Sequence, residues 1–251
     1  MGDLQTVPGT TAIAFSEYDP RNAKARSGEL ATVEGGVIRA IRGEKGDELA
    51  LPENQTHYGY MSQGSMTVVC AESTIVVPKG FYFSFPGEAR IRLGGYCQGI
   101  IVSRPGYQGF LTMGKLEYEG RLRYINGCTD SLLVAPIKLG DPCLNLLYFP
   151  ENTDQTMHTH PSDRIGMVLS GGGQCISEDE RGTIVTPLTA GMLFCIHTGG
   201  HHKFRTFHGH MRVLAYHPDS DFGPTDEDHP MINRTMVGGI SAAKLPEIHT
   251  A

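Results

Sequence analysis

The sequence lacks the features that mark several large classes of protein. Its 251 residues contain no Cys-x-x-Cys pair, no block of lysines and arginines, and no apolar run near the roughly 18 residues of a membrane helix. Zinc–cysteine clusters, nucleic-acid grooves and membrane spans are therefore not expected, since phosphate neutralisation alone needs clustered cations. A charged and then apolar secretory leader is also missing, so we expect a cytoplasmic protein with reduced, mostly buried cysteines.

A sustained helical period is missing too. Apolar residues at a spacing of 3.6 do not continue over about 12 residues anywhere, whereas 32 glycines and 15 prolines are spread along the chain. They bound apolar segments of about four to eight residues, the usual length of strands. The clearest of these segments are 97–104, 144–150, 165–171, 172–179, 183–189, 191–197, 203–207 and 211–218. We predict an all-β chain with few short helices, of which 241–248 is one candidate.

The two halves of the chain repeat one order of strands and glycine turns. Gly64, Gly80 and Gly87 in the first half correspond to Gly171, Gly191 and Gly199 in the second. This duplication predicts two tandem β-barrel domains, residues 1–120 and 121–251, with a linker near 115–124. Exposed sheet edges favour a homodimer.

His158 and His160 are the clearest candidates for metal ligands. Side chains two apart on a strand point to the same face, so both rings can bind one ion. A third ligand should come from a neighbouring antiparallel strand, and His202 is the candidate. His208 or His210 takes that role if the register differs.

These residues resemble the two motifs of the cupin superfamily. The first is roughly His-x-His, then Glu or Gln, then an apolar strand ending in Gly, and it corresponds here to "HTHPSDRIGMVLSG". The second, roughly Gly-x5-Pro-x-Gly-x2-His, corresponds to "GMLFCIHTGGHH", with His197 at the place of the proline. This alignment implies His202 as a ligand, with His201 pointing away. The resemblance covers residues 144–218 well and the first half in outline, and it implies a bicupin of two jelly-roll barrels.

Arg164 stands where the first motif has its Glu or Gln, seven residues before Gly171. Arginine stays protonated and cannot bind a metal. Three interpretations remain open. The three histidines bind the metal alone and Arg164 clamps an anionic substrate; or Asp163 supplies a carboxylate through a β-bulge; or Arg164 fills a site that holds no metal.

The first half lacks the His-x-His pair. His57 lies seven residues before Gly64, at the place of the Glu, and Arg90 lies where the histidine of the second motif would stand. We therefore predict that the first barrel binds no metal and either packs against the second barrel or builds a dimer. Tyr58, Tyr60 and Phe85 are predicted to pack in a core rather than to line the remnant of a pocket.

The arrangement of three histidines resembles that of the thiol dioxygenases and the β-diketone-cleaving cupins. In the thiol dioxygenases an arginine holds the substrate carboxylate near Fe(II). The resemblance implies a mononuclear Fe(II) oxygenase acting on a small anionic metabolite, with Ni, Cu, Zn or Mn as alternative ions. A second hypothesis is a metal-dependent isomerase, cyclase or lyase in which His197 or Tyr216 moves a proton. The third is a cupin that binds a small ligand without catalysis.

Overall fold

The computed structural model describes residues 15–18, 27–70, 73–179 and 182–250, and most of its regular structure is β-strand. The first strands are β1 Phe15–Tyr18, β2 Gly28–Val33, β3 Gly36–Gly43, β4 Glu48–Leu51, β5 Gln55–Gln63, β6 Ser65–Cys70, β7 Ser73–Pro78, β8 Phe81–Pro86, β9 Ala89–Leu93, β10 Cys97–Pro105 and β11 Thr112–Lys115. They are followed by β12 Leu122–Arg123, β13 Thr129–Val134, β14 Cys143–Phe149, β15 Arg164–Asp179, β16 Gly182–Thr189, β17 Leu193–Ile196, β18 His201–Arg205, β19 Met211–His217, β20 Met236–Val237 and β21 Ile240–Ser241.

Helices are few and short, as predicted. They are α1, Pro230–Arg234, and the 3-10 helices Ile125–Gly127, Ala242–Lys244 and Pro246–Ile248, the last two within the predicted segment 241–248. In the described part of the chain, no helix is long and apolar enough to cross a membrane. The six cysteines are all buried free thiols, as predicted.

Two large sheets share one strand order. The first has the order β11-β8-β5-β10-β3-β2, and the second has the order β1-β17-β15-β19-β14-β13-β12. A smaller sheet, β4-β9-β6-β7, completes the first barrel, while β16 and β18 pair with β15 to complete the second. The predicted duplication is therefore present in the fold. The division at residue 120 stays a prediction, and β1 joins the second sheet although it comes from the first half of the chain.

The glycines that revealed the duplication have equivalent conformations. Gly64 and Gly171 have φ of 72° and 68°, Gly80 and Gly191 have 84° and 93°, and Gly87 and Gly199 have 82° and 72°. These angles lie in the left-handed region that favours glycine. At Gly171 the chain turns without leaving the ladder, so the two strands predicted over 165–171 and 172–179 form the single strand β15.

The described residues form three apolar cores. One lies inside the first barrel and contains Met61 and Phe83, and another lies inside the second and contains Phe194 and Phe204. The third lies between the two large sheets, where the rings of Tyr58 and Tyr216 are 5.1 Å apart. The barrels therefore pack through the outer faces of their large sheets, and successive residues on each strand alternate between a barrel interior and this shared core. The packing roles predicted for Tyr58, Tyr60 and Phe85 are confirmed.

Gly166 and its counterpart Gly59 leave room for a phenylalanine ring from the next strand. A Cβ at Gly166 would lie 2.3 Å from Cζ of Phe194, and one at Gly59 would lie 2.5 Å from Cζ of Phe83. We expect Gly166→Ala to lower the free energy of unfolding by about 1–3 kcal/mol, because the buried ring must shift. Urea denaturation measures this. Gly95→Ala, where a Cβ meets nothing within 4 Å, is the control, and equal losses in both variants would contradict the explanation.

Candidate metal centre

Three histidines converge at one end of the second barrel. His158 and His202 lie opposite each other, and each backbone N–H donates to the other's carbonyl at 3.0 Å. His160 lies two residues further along. The ring centroids are 4.4 Å apart for His158 and His202, 5.0 Å for His158 and His160, and 5.1 Å for His160 and His202. One nitrogen from each ring lies within 4.8 Å of the others, so the three can surround a single ion.

The ring nitrogens of this cluster are prepared for a metal. Nδ1 of His158 lies 2.8 Å from the carbonyl of Thr156, and Nδ1 of His202 lies 2.9 Å from that of Gly200. A carbonyl only accepts, so each Nδ1 carries the proton and each Nε2 keeps its lone pair. Nε2 of His202 is buried and has no hydrogen-bond partner. The donor set therefore fits a divalent transition ion.

Burial and charge keep two of the rings in the form that binds metal. Burial lowers the pKa of His160 to about 3, with a further contribution from the positive charge of Arg164. Burial also lowers the pKa of His202 to about 4. Both rings are therefore neutral at physiological pH, as a metal ligand must be.

Arg164 lies on the face of β15 that points into the second barrel. Val168, four residues along the same strand, belongs to that barrel's core. Nη1 of Arg164 donates to the Ser162 carbonyl at 3.1 Å and to its Oγ at 2.5 Å, and it lies 3.7 Å from Asp219. Nε is buried without a hydrogen-bond partner. A fixed guanidinium thus lies beside the histidines with part of its donor capacity unused.

Asp163 faces away from the three histidines. Its Oδ1 accepts hydrogen bonds from the backbone N–H and Oγ1 of Thr198 at 3.0 and 3.1 Å, and its Oδ2 accepts from the N–H of Gly35 at 3.2 Å. The carboxylate therefore ties the turn between β2 and β3 to the second barrel. The interpretation in which Asp163 completes the metal site has no geometric support, because one step along a strand reverses the face.

His197 and Tyr216 are also not brought to the histidine cluster. Tyr216 is 1% exposed in the core between the barrels, and its hydroxyl donates to the carbonyl of Gly35 at 3.3 Å. Nδ1 of His197 lies 3.9 Å from Sγ of Cys195, whose side chain is in that same core. Both residues therefore lie across the sheet from the cluster, and neither can move a proton there.

The remaining histidine alternatives also separate from the cluster. His201 is exposed beside His202, as its outward position in the motif implied. His210 stacks with Tyr148 at 5.8 Å and contacts Tyr118 at 5.4 Å on the outer side of the sheet. His202 is therefore the third histidine of the cluster, as the alignment with the second motif predicted.

His217 is a residue of this interior that the sequence reasoning missed. Met211 and Val213 on β19 belong to the barrel core, so alternation places His217 on the same face. Ile165 on β15 pairs with Tyr216 on β19. Because the strands are antiparallel, the next residues along, Arg164 and His217, also lie opposite each other. Burial, followed by the charge of Arg164, lowers the pKa of His217 well below its ordinary value. The alternation of "MRVLAYH", followed to its last residue, is the signal that could have found it.

The first barrel carries different residues at the ligand positions. Leu51 and Ala89 form the strand pair that corresponds to His158 and His202. The prediction that Arg90 takes the place of His202 was wrong by one residue, since Arg90 is exposed on β9 and the turn before β18 is one residue longer.

His57 occupies the position of Arg164 and is hydrogen-bonded on both ring nitrogens. Nδ1 lies 2.7 Å from Oγ of Ser103, and Nε2 lies 3.1 Å from the carbonyl of Gly87. The same Oγ accepts from Nη1 of Arg39 at 2.7 Å. This place in the first barrel is therefore closed by protein side chains.

Burial lowers the pKa of His57 to about 4. In the unfolded chain the imidazole of His57 has a pKa near 6.5, so between pH 6.5 and pH 4 it takes up a proton that the folded protein excludes. The contribution of His57 to the free energy of unfolding is therefore fully present above pH 6.5 and is lost as the pH falls toward 4. Because of His57, we expect the free energy of unfolding to be about 2 kcal/mol lower at pH 5 than at pH 7. Denaturation of the wild type and His57→Gln at both pH values measures it. Identical pH dependence in the two proteins would contradict the assignment.

Solved structures show which fold this architecture is. No family model and no curated protein matches the sequence. A cupin 2 conserved barrel domain protein from Leptotrichia buccalis matches with a TM-score of 0.61 and 13% identity, over 80% of this chain and 95% of that one. Salicylate 1,2-dioxygenase from Pseudaminobacter salicylatoxidans matches with 0.62 and 9%, over 76% and 75%. Oxalate decarboxylase from Bacillus subtilis matches with 0.59 and 11%, over 87% and 81%.

The chain therefore has the cupin fold, in the form of two tandem jelly-roll barrels. The resemblance drawn from the His-x-His and glycine motifs is confirmed at the level of the fold.

Proposed function

We propose that this protein is a cupin oxygenase that holds one Fe(II) ion on His158, His160 and His202 and acts on a small anionic substrate. The observation that carries this proposal is the buried Nε2 of His202, which has no hydrogen-bond partner and faces two further imidazoles. An unpaired buried nitrogen costs free energy that a metal bond offsets. When bound, Fe(II) supplies the electrons and open coordination positions that oxygenase chemistry needs.

Arg164 is the residue that selects an anion. Ser162 and Asp219 hold its Nη1, so its buried Nε remains available to a substrate carboxylate. A charge-assisted hydrogen bond from a fixed guanidinium both binds and orients such a group. Salicylate and oxalate, after which two proteins of the same fold are named, are themselves carboxylates.

The choice of ion depends on the donor set. Three imidazole nitrogens suit iron, nickel, copper and zinc, and Mn(II) centres are described for the Bacillus subtilis oxalate decarboxylase. We favour Fe(II) because the three-histidine arrangement with a nearby arginine resembles that of the thiol dioxygenases. Elemental analysis after purification under anaerobic conditions tests this choice directly.

A metal-dependent lyase or isomerase is the second candidate. His217, which faces the barrel interior across from Arg164, favours it, because an imidazole there could move a proton on a substrate held by the guanidinium. His197 and Tyr216, which the sequence analysis assigned to this task, lie on the other side of the sheet.

Oxygen consumption separates the two candidates. Fe(II)-reconstituted protein is mixed with a panel of small carboxylates in an oxygen electrode, and product is measured with and without dioxygen. We expect oxygen uptake in proportion to product and none with His160→Ala. Equal turnover under strict anaerobiosis supports the lyase or isomerase, and binding without any turnover supports a ligand-binding protein.

The expected homodimer and cytoplasmic location stay proposals. The strand β7 forms one edge of the four-stranded sheet, and Val76 on it is 58% exposed. An edge of this kind can pair with another chain. Sedimentation equilibrium tests the dimer.

A further inference from the structure

Each barrel has three interior positions, one on each of three adjacent strands, that correspond to three positions in the other barrel. In the second barrel these positions lie next to the histidine cluster. Arg39 pairs with Ile101 as Asn145 pairs with Ala215. In the first barrel the three positions hold Arg39, Ser103 and His57, and in the second they hold Asn145, His217 and Arg164.

In the first barrel these three side chains satisfy one another. Arg39 donates to Oγ of Ser103 at 2.7 Å, and that hydroxyl lies 2.7 Å from Nδ1 of His57. Nε2 of His57 completes the chain on the carbonyl of Gly87 at 3.1 Å. The Ile101 side chain occupies the row between them, in the core of the same barrel. No ligand is needed to complete this network.

In the second barrel the equivalent side chains leave polar atoms unpaired. Nδ2 of Asn145 donates to both carboxylate oxygens of Asp130, at 2.8 and 3.1 Å. This fixes the amide, because a carboxylate only accepts. Oδ1 of Asn145 therefore points elsewhere; the residue is 9% exposed and Oδ1 has no partner.

The unpaired atoms concentrate in this one interior. Among the described residues, five buried side-chain nitrogen or oxygen atoms lack a partner, and the second barrel interior holds Asn145 Oδ1, Arg164 Nε and His202 Nε2. Buried polar atoms are nearly always paired with protein, an ion or ordered water, so a cluster of exceptions marks a place where a bound group can supply the missing partners. On the strand between Asn145 and Arg164, Ala215 and His217 stand where the first barrel has Ile101 and Ser103.

We propose that Asn145 and Arg164 together recognise the substrate through hydrogen bonds, and that the substrate is a small carboxylate with a hydroxyl or amino group. The carboxylate accepts from Nε of Arg164, and the O–H or N–H donates to Oδ1 of Asn145. A simple carboxylate leaves Oδ1 unpaired, and a second carboxylate would bring acceptor oxygens against Oδ1 and Asp130. This inference rests on the proposed function for the location of the site and is independent of the reaction type.

Matched pairs of ligands test this inference on the metal-free 251-residue chain. Isothermal titration calorimetry compares salicylate with benzoate and lactate with propionate. We expect the hydroxyl-bearing member of each pair to bind about tenfold tighter or more, because the other leaves a buried acceptor unpaired. Asn145→Leu, which keeps the volume but lacks the acceptor, should remove the difference within each pair. Ser103→Ala, the matched change in the first barrel, should keep the difference.

Two results would overturn the inference: equal affinities within each pair for the wild type, or a difference that persists in Asn145→Leu. The wild-type comparison decides if that variant does not fold. If no ligand binds the metal-free protein, the titrations are repeated with Zn(II) bound, and absence of binding there also overturns it. If the hydroxyl-bearing ligands bind more tightly but no oxygen is consumed, the inference stands and the oxygenase proposal fails. If the protein consumes oxygen while it turns over carboxylates that lack a donor group, the oxygenase proposal stands and the inference fails.

Discussion

His202→Ala is expected to weaken the binding of divalent metal by about a hundredfold or more. That loss exceeds the 10–100-fold typical of losing a residue that only orients a ligand, because Nε2 of His202 would bind the ion itself. His158 and His160 would remain, but two imidazoles from one segment of the chain cannot surround an ion from both sides. Titration calorimetry with Fe(II) under anaerobic conditions, or with Zn(II) in air, measures the affinity.

His201→Ala is the matched control for this change. The two histidines are adjacent on β18, yet His201 is exposed and lies outside the cluster, so its removal should leave the affinity unchanged. His160→Ala gives a second test at a half-buried position, should the fully buried His202 be needed for folding. Equal affinities in the wild type and both cluster variants would refute the three-histidine assignment.

Arg164→Met should retain the metal and lose the anionic ligand. Removal of one partner of a buried charge-assisted contact costs on the order of 2–5 kcal/mol, which corresponds to about 30-fold to several-thousand-fold in affinity. Methionine keeps much of the side-chain length without the donors. Calorimetry with salicylate measures the ligand, and elemental analysis of the same sample measures the metal.

Arg205→Met provides the control for charge. Arg205 lies on the same barrel and pairs with Asp154 at 2.9 Å near the surface, so its loss should leave carboxylate affinity unchanged. Arg164→Glu adds a test of register, since a carboxylate at this position should raise metal affinity. Unchanged carboxylate affinity in Arg164→Met would contradict the proposal that Arg164 binds the substrate carboxylate.

Local sequence pattern was sufficient for the fold and for the cluster of three histidines. Glycines that need positive φ marked equivalent turns in both barrels, as Gly64 and Gly171 show. The histidines followed from two short-range rules, the alternation of a strand and the spacing from a turn glycine. Such rules act within about ten residues, where the chain's own geometry decides the outcome.

The residues around the histidine cluster depended on facts that no local pattern carries. His197 and Tyr216 were chosen for their chemistry, but the packing of the two large sheets against each other decides which face of each strand meets the site. Asn145 gave no signal at all, because its significance comes from Asp130 on another strand and from the absence of a partner for Oδ1. The error at Arg90 came from one extra residue in a turn, which reverses a face.

The metal content of the purified protein tests the central claim most directly. Protein isolated anaerobically, without chelators, is analysed for Fe, Mn, Ni, Cu and Zn before and after incubation with Fe(II) and gel filtration. The three-histidine site predicts about one tightly held ion per chain in the wild type and none in His202→Ala. A wild-type protein that retains no divalent ion after Fe(II) loading would contradict the account.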